Sequence, residues 1–571
     1  MKKVGIVVLL VAFSLGLFFF FQGTVGKRVE AADCLPDDVL FYGEQLEFIE
    51  MYQSFMGSRL GRTLSRLDYP GIAAELGASE EKIQQVEESW RNVSKILADP
   101  GLNELLGKEF SVAVFPASSF SEENSVRAIE KSLLLIARPR HSTKLLQLLA
   151  PFLSEDIQQS TIQYGKHTIT RYQIDAQNTL ATASIAGLVL AGFEERLVRK
   201  SLDIYDNQKD TLSDNKDFQK LRRHLQGKQL FCYFSFPALL DQGRMIGKNL
   251  PDEDRSEFLA LLEQWKGLRA AAYGAWREKG LVKDKFEILF DQKKLDGQLA
   301  MHSGVKPGEN QTLQLVPRDV FLYYWANTLN LPFLWELYSS NAPQQKPEAF
   351  VLLQRELRDS AGVELEEVLA MIGNEFGVIM EDVDREGIPL PKATIFIQLK
   401  EPEKFLKVFN VLLKNADIPV TQKQYQGQDI TYWGVSPQGG LQPAFALMDN
   451  YLFISNSLDL VQQIADLKTD PSQNLSNSPA MKVVGGHFTE DNNSATYIHI
   501  AKLADSLKSI AIWTGGMAAL QGPEIARNVD IVINQLVLPF LDGVAMYTQL
   551  GSRSFITDES IVVESTTIIV P

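Results

Sequence analysis

The sequence predicts an α+β protein of two tandem homologous domains, with mainly antiparallel sheets and packed helices, behind one N-terminal hydrophobic segment. Three observations predict it. The stretch Gly107-Lys108-Glu109-Phe110-Ser111-Val112-Ala113-Val114 returns roughly 270 residues later as Gly373-Asn374-Glu375-Phe376-Gly377-Val378-Ile379-Met380. Other segments return around it in the same order. Short apolar runs separated by turn residues are mixed with stretches of helical periodicity, without the regular strand–helix alternation of a parallel sheet. A period this long lies far above the roughly 20 to 50 residues of solenoids, so two domains are expected and not a repeat array.

Before the copies comes Val4 to Gly26, an apolar run of 23 residues with Lys2 and Lys3 before it and Lys27 and Arg28 after it. That is a bilayer-crossing length and exceeds the roughly 7 to 15 residues of a signal-peptide core. Residues 1–31 therefore read as an anchor in the inner membrane with the body in the periplasm, by the positive-inside rule. Val29-Glu30-Ala31 also suits a signal peptidase, and cleavage after Ala31 would release the chain into the periplasm. Both readings export it. The first α+β copy is placed at 35–302, a linker at 303–310 and the second copy at 311–571.

In the first copy, Leu35-Pro36-Asp37-Asp38-Val39-Leu40-Phe41-Tyr42 reads as a turn entering a strand. Leu46 to Leu67 has helical periodicity, and more helix runs from Ile72 to Leu106 with a break at Gly77. Strands follow at Phe110 to Phe115 and Leu133 to Ala137, then a helix at Thr143 to Phe152. Gly165-Lys166 turns a hairpin, Ala181 to Leu190 supplies further strand, and Glu194 to Tyr205 is a helix. Leu230 to Phe236 and a hairpin around Gly280 close the unit.

The second copy restates this list. Leu315-Val316-Pro317-Arg318-Asp319-Val320-Phe321-Leu322-Tyr323 repeats the opening, and Tyr425 to Tyr432 repeats the Gly165 hairpin with its glycine one position later. Thr496 to Ile500 repeats Cys232 to Phe236. Ile531 to Phe540 is too short to span a bilayer and is expected as a buried helix.

The Leu-Pro-Asp-Asp-Val opening, the Gly-x-Glu-Phe strand and the duplicated layout resemble a group of bacterial envelope proteins grouped as a domain of unknown function. The resemblance would cover most of residues 35 to 571. It implies an extracytoplasmic location and carries over no catalytic residue.

The formal net charge is −15, and no Lys/Arg block supplies the basic stripe that nucleic acid requires, so no nucleic-acid partner is expected. Cys34 and Cys232 are too few for a disulfide framework. Cys34 reads as an acylated cysteine, a surface thiol or one half of a bridge to Cys232. The six histidines, His141, His167, His224, His302, His487 and His499, include no pair at helical metal-ligand spacing. No phosphate loop, nucleophile elbow or dinucleotide fingerprint is present, and no metal or cofactor is expected.

Comparing the copies, His167 faces Gln428, Cys232 faces Thr496 and His499 faces Ser235, so none of these recurs. Glu109 and Glu375 do recur. They form either an equivalent pair of acids or, as a glycine before a strand suggests, a helix stop followed by an exposed strand start. An aromatic cluster, Tyr323, Tyr324, Trp325, Phe333, Trp335 and Tyr338, offers rings for stacking or for an acyl chain, with Tyr323, Tyr324, Trp325 and Trp335 as the candidate ligand-binding residues. Core packing at the start of the second copy explains them too, by analogy with Phe41, Tyr42, Phe48, Tyr52 and Phe55 in the first, and is the favoured reading.

The sequence thus points to a non-enzymatic extracytoplasmic binding, scaffold or chaperone protein of the bacterial envelope, with an envelope protein or an apolar ligand as partner. One alternative is a carrier of an apolar ligand such as lipid, with a tunnel lined by strand residues such as Leu134, Ile136, Phe396 and Leu452. The other is a hydrolase of envelope polymers.

Overall fold

The computed structural model describes residues 29–97, 108–117, 125–139, 158–174, 178–225, 227–341, 348–383, 389–415, 418–434 and 441–570. The N-terminal run 4–26, His141 and the helix expected at Thr143 to Phe152 lie outside them. Among the described residues no helix is long and apolar enough to cross a membrane. The chain divides into two compact units, one ending at Ser303 and joined by Thr557–Val562, the other Gly304–Ile556 with Val563–Pro571.

The first unit holds β1 (Phe41–Leu46), β2 (Glu109–Val114), β3 (Leu133–Arg138), β4 (Gln158–Tyr164), β5 (His167–Gln173), β6 (Thr179–Ile185), β7 (Leu188–Gly192), β8 (Leu230–Ser235), β9 (Leu268–Glu278) and β10 (Leu281–Phe290). Every pair is antiparallel, in the order β4-β5-β6-β7-β3-β2-β1-β8-β9-β10. The second unit holds β11 (Leu322–Ala326), β12 (Ile372–Val383), β13 (Pro391–Leu399), β14 (Thr421–Tyr425), β15 (Gln428–Tyr432), β16 (Ala444–Met448), β17 (Tyr451–Ser455), β18 (Ser494–Ile498) and β19 (Tyr547–Ile556), and β20 (Ser560–Ile569) is divided between the units after Val562. The second unit's order is β14-β15-β16-β17-β13-β12-β11-β18-β19, again antiparallel. The nine strands of the second order match β4-β5-β6-β7-β3-β2-β1-β8-β9 of the first one for one, so the fold is α+β and the sequence repeat is a repeat of topology.

In each unit one sheet face packs on helices. In the first, Tyr42, Ala113, Leu134, Ile136, Phe231 and Tyr233 meet Leu197, Val198 and Leu202 of the helix Glu195–Asn207 and Phe218 and Leu221 of Lys216–His224. In the second, Tyr323, Trp325, Ile379, Phe396 and Phe453 meet Leu460, Val461 and Ile464 of the helix Leu458–Asp466. Each Leu, Ile, Val or Phe side chain among them contributes about 1.5–3 kcal/mol when fully buried.

The opposite face of the second sheet carries its own cluster of Ile372, Leu399, Phe445 and Leu452 against Phe405 of the helix Pro402–Asn415.

Local chemistry explains the turns and breaks. Gly165 has φ +58° at its hairpin, whereas Gln426 (+50°) and Gly427 (+75°) both have positive φ at the other. These are the patterns of II′ and I′ turns, and they account for the glycine's shift by one position. The stretch Leu46 to Leu67, expected as one helix, is two, Phe48–Met56 and Arg59–Arg66. Gly57 ends the first, and Ser58 starts the second by accepting the Gly61 N–H at 3.1 Å.

Two copies of one sheet must also fill it differently. Ser111 pairs with Ile136 on β2 and β3, and at the same place on β12 and β13 Gly377 pairs with Phe396. A Cβ on Gly377 would collide with the Tyr324 carbonyl oxygen and the Phe396 ring. The glycine therefore makes room for a larger neighbour.

Between β8 and β9, and again between β18 and β19, a helical hairpin is inserted. It comprises Phe236–Gly247 and Asp252–Glu263 in the first unit, and Ile500–Ala518, Pro523–Val532 and Leu538–Val544 in the second. The buried helix expected at Ile531 to Phe540 falls in this hairpin. Ile531 and Ile533 are buried there, but Phe540 is 46% exposed.

Candidate functional site

The recurring acids come first, because any chemistry shared by both copies would use them. Register places Glu109 opposite Arg138 on β3, and Arg138 Nε donates to Glu109 Oε2 at 2.9 Å. Both side chains are nearly buried, and the guanidinium also donates to the Val29 carbonyl oxygen. Glu109 is thus not an exposed strand start. Its carboxylate sits inside the sheet against a fixed cation, which is how a buried charge is tolerated.

Glu375 occupies the same place in the second copy with other partners. Trp325 Nε1 and Tyr451 Oη each donate to its Oε2 at 2.8 Å, and Gln398 Nε2 donates to its Oε1 at 2.9 Å. Gln398 stands where Arg138 stands in the first copy, so a cation has been replaced by three neutral donors. Gly373 is likewise no helix stop: it lies within β12, and a Cβ there would collide with the Gln398 side chain. Burial, with the hydrogen bond to Glu375 next, pushes the Tyr451 hydroxyl well above its ordinary pKa, so it stays a donor. Chemically, each arrangement can hold a carboxylate still.

The four candidate aromatic residues do not form one surface. Tyr323 and Trp325 point from β11 into the core, both fully buried, and Tyr323 Oη hydrogen-bonds Asn310 Oδ1 and Thr312 Oγ1 at 2.9 Å. Tyr324 points to the other face, where its ring lies 5.7 Å from that of Phe376. Trp335 belongs to a separate cluster, with Nε1 bonded to Glu366 Oε1 at 2.8 Å and its ring 5.7 Å from Phe350. The side chain of Tyr338 lies outside the described residues.

The four residues named for a carrier tunnel, Leu134, Ile136, Phe396 and Leu452, are each at most 1% exposed and packed in the cores.

Cys34 and Cys232 are both free. Cys34 is fully buried and its thiol is pushed up by burial, so it is neither a surface thiol nor half of a bridge. The described histidines are engaged locally. His167 contacts Asp206 at 3.0 Å, His224 contacts Glu287 at 2.9 Å, His487 contacts Glu490 at 2.6 Å, and His302 contacts the Gln298 carbonyl at 2.9 Å. Among the described residues no group of three or more His, Cys, Asp or Glu is placed to hold a metal.

A depression of about 440 Å³ in the first unit is polar, lined by Lys131, Gln158, Ser160, Arg171, Asn178 and Glu195 among others. Of its two acids, Glu194 and Glu195, the second is already committed. Arg171 hydrogen-bonds Glu195 and Arg199 Nε donates to it at 2.6 Å, and the Arg171 contact foremost holds its carboxyl below the usual range.

His499 has a role that sequence comparison hid. It faces Ser235, and both cap the helix that follows: Ser235 Oγ accepts the Ala238 N–H at 3.4 Å, and His499 Nδ1 accepts the Lys502 N–H at 3.2 Å. A ring nitrogen accepts only when unprotonated. Burial, and then Lys502, lowers the His499 pKa against the opposing pull of Asp319 and Asp505. The folded state thus prefers the neutral ring. Its contribution is present above the unfolded pKa of about 6.5 and is lost as pH falls through the folded value.

We expect His499→Ser, which restores the other copy's cap, to unfold at nearly the same urea midpoint as wild type at pH 8 and at a higher midpoint near pH 5. The cap is worth about 1 kcal/mol. An equal difference between the two proteins at both pH values would refute the cap's titration.

Residues 75–525 match a family model described as "Protein of unknown function (DUF3352)". The chain belongs to this family. No curated protein matches this DUF3352 chain. Two solved structures, titled "Structure of crystal form IV of TP0453" and "Structure of crystal form III of TP0453", are similar to it at 10% and 11% identity. They cover 46% and 49% of this chain and 81% and 89% of their own, each with a TM-score of 0.24, too low to support any conclusion about this chain.

Proposed function

We propose that this DUF3352 chain is a non-enzymatic binding or scaffold protein of a bacterial cell envelope, held at the inner membrane by residues 4–26 with its two copies in the periplasm. The observation that carries the reading is the fate of the acid in the recurring Gly-x-Glu-Phe strand. Glu109 is committed to Arg138, and Glu375 to Trp325, Tyr451 and Gln398, inside their sheets. Residues tied up in this way serve the fold, so the surface is left to serve a partner. The apolar N-terminal run and the resemblance to envelope proteins support the location.

Pull-down of the full chain from detergent-solubilised membranes, with mass spectrometry of proteins and lipids, tests the reading. A stoichiometric protein partner supports a scaffold. Lipid alone favours the carrier, and neither one refutes binding as the function.

A further inference from the structure

The helical hairpin after β18 ends differently from its counterpart after β8. In the first copy the tip is Lys248-Asn249-Leu250-Pro251-Asp252-Glu253-Asp254-Arg255, which is densely charged, and Arg255 is bonded to the carbonyl oxygens of Gly247, Lys248 and Leu250. The second copy has no charged residue from Ser509 to Pro523, a run of 15 residues between Lys508 and Glu524. It covers the last turns of the helix Ile500–Ala518, the connection and the start of Pro523–Val532. Ile512, Trp513, Met517 and Leu520 are 61, 38, 43 and 78% exposed there, and Ile525, just past Glu524, is 45% exposed. The exposed apolar residues of the first hairpin, Leu239, Leu261 and Trp265, lie toward its strand ends instead.

We infer that this tip seats in the headgroup–acyl boundary of a phospholipid bilayer, a second membrane contact beyond the N-terminal tether; the inference rests on the tethered reading above. Three features select lipid over a protein surface. The tip's two hydroxyls are spent on their own helix, Ser509 Oγ donating to the Asp505 carbonyl at 3.2 Å and Thr514 Oγ1 to that of Ile510 at 2.8 Å, which leaves Gln521 as its one exposed amide side chain. Little is left for the directed hydrogen bonds of a specific protein interface. Tryptophan beside aliphatic side chains on a helix suits the membrane interface.

The third feature is charge. A chain of net charge −15, with four of its cations in the N-terminal segment, is repelled by anionic lipid, and only an uncharged element lets its body approach a bilayer closely. The surface predicted is therefore zwitterionic. The same insertion in the first copy, with charges at its tip, should stay in water.

The full chain, carrying Cys232→Ser and Leu520→Cys, is reconstituted in phosphatidylcholine vesicles and labelled with an environment-sensitive dye; buried Cys34 does not react. Ile512→Cys provides a second site, and Asp252→Cys marks the first copy's tip. Brominated phosphatidylcholine is expected to quench the probe at 520 or 512 about twofold more than the probe at 252, with aqueous iodide giving the reverse order.

Equal iodide access at both tips overturns the inference. So does a probe at 520 shielded from iodide yet unquenched by bromine, which would mean that protein covers it. Vesicle flotation reports the tether separately. A chain that floats without bromine quenching refutes the tip contact alone, and one that does not float refutes both.

Discussion

Replacing Arg138 with methionine is expected to lower the unfolding free energy of the first unit by about 3–5 kcal/mol, because it leaves the Glu109 carboxylate buried without its cation. The guanidinium's bond to the Val29 carbonyl is lost as well. The double variant Glu109→Gln/Arg138→Met should recover most of the loss, since it removes the buried charge along with its partner. A double-mutant cycle by urea unfolding measures the coupling. A loss below about 1 kcal/mol for Arg138→Met, the range of an exposed pair, would show that water reaches the site.

The second large effect is expected at Trp325. Its side chain is fully buried, among the largest such in the protein, and Trp325→Ala should cost the second unit about 3–5 kcal/mol through the cavity it leaves. Trp325→Phe separates packing from hydrogen bonding: it keeps most of the ring but takes one of three donors from Glu375, for about 1–3 kcal/mol. Tyr324→Ala, on the other face of the same strand, should cost less than Trp325→Ala. If the two alanine variants proved equally mild in urea unfolding, the assignment of faces on β11 would be wrong.

The chemistry of these two sites was only partly legible in the sequence. Gly-x-Glu-Phe was visible as a repeat because its spacing to the strand is local. What surrounds each acid was not, since Arg138 reaches Glu109 across a strand pair and Tyr451 reaches Glu375 from 76 residues away. Glu44 shows the same limit. It stands on β1 where Trp325 stands on β11, and it is held by Tyr42 Oη at 2.8 Å and by Arg222, 178 residues along the chain. No pattern in the sequence links such partners, because the sheet register brings them together.

Elements divide along the same line. Hairpins at Gly165, Gly280 and Gly427 could be read because a positive φ in a tight turn selects glycine locally. The hairpin Phe236–Glu263 was missed, although Ser235 before Pro237 is a helix-start signal, because Leu230 to Phe236 reads as one apolar strand. The break at Gly57-Ser58 was equally present in the sequence and was outweighed by the apolar periodicity running through it. The aromatic run at Tyr323 to Trp325 alternates between faces as a strand must, and only the sheet shows which face is covered.

The central claim is that the acid of the Gly-x-Glu-Phe strand serves the fold in both copies and that the protein works by binding through its surface. The most direct test is the pull-down repeated with Glu375→Gln in the full chain, with near-ultraviolet circular dichroism to check the fold. The amide can still accept from Trp325 and Tyr451, and Gln398 can turn to present its oxygen. The account predicts a native spectrum and the same co-purified partner in the same proportion as wild type. A native spectrum with the partner lost would place Glu375 in the working site and contradict it.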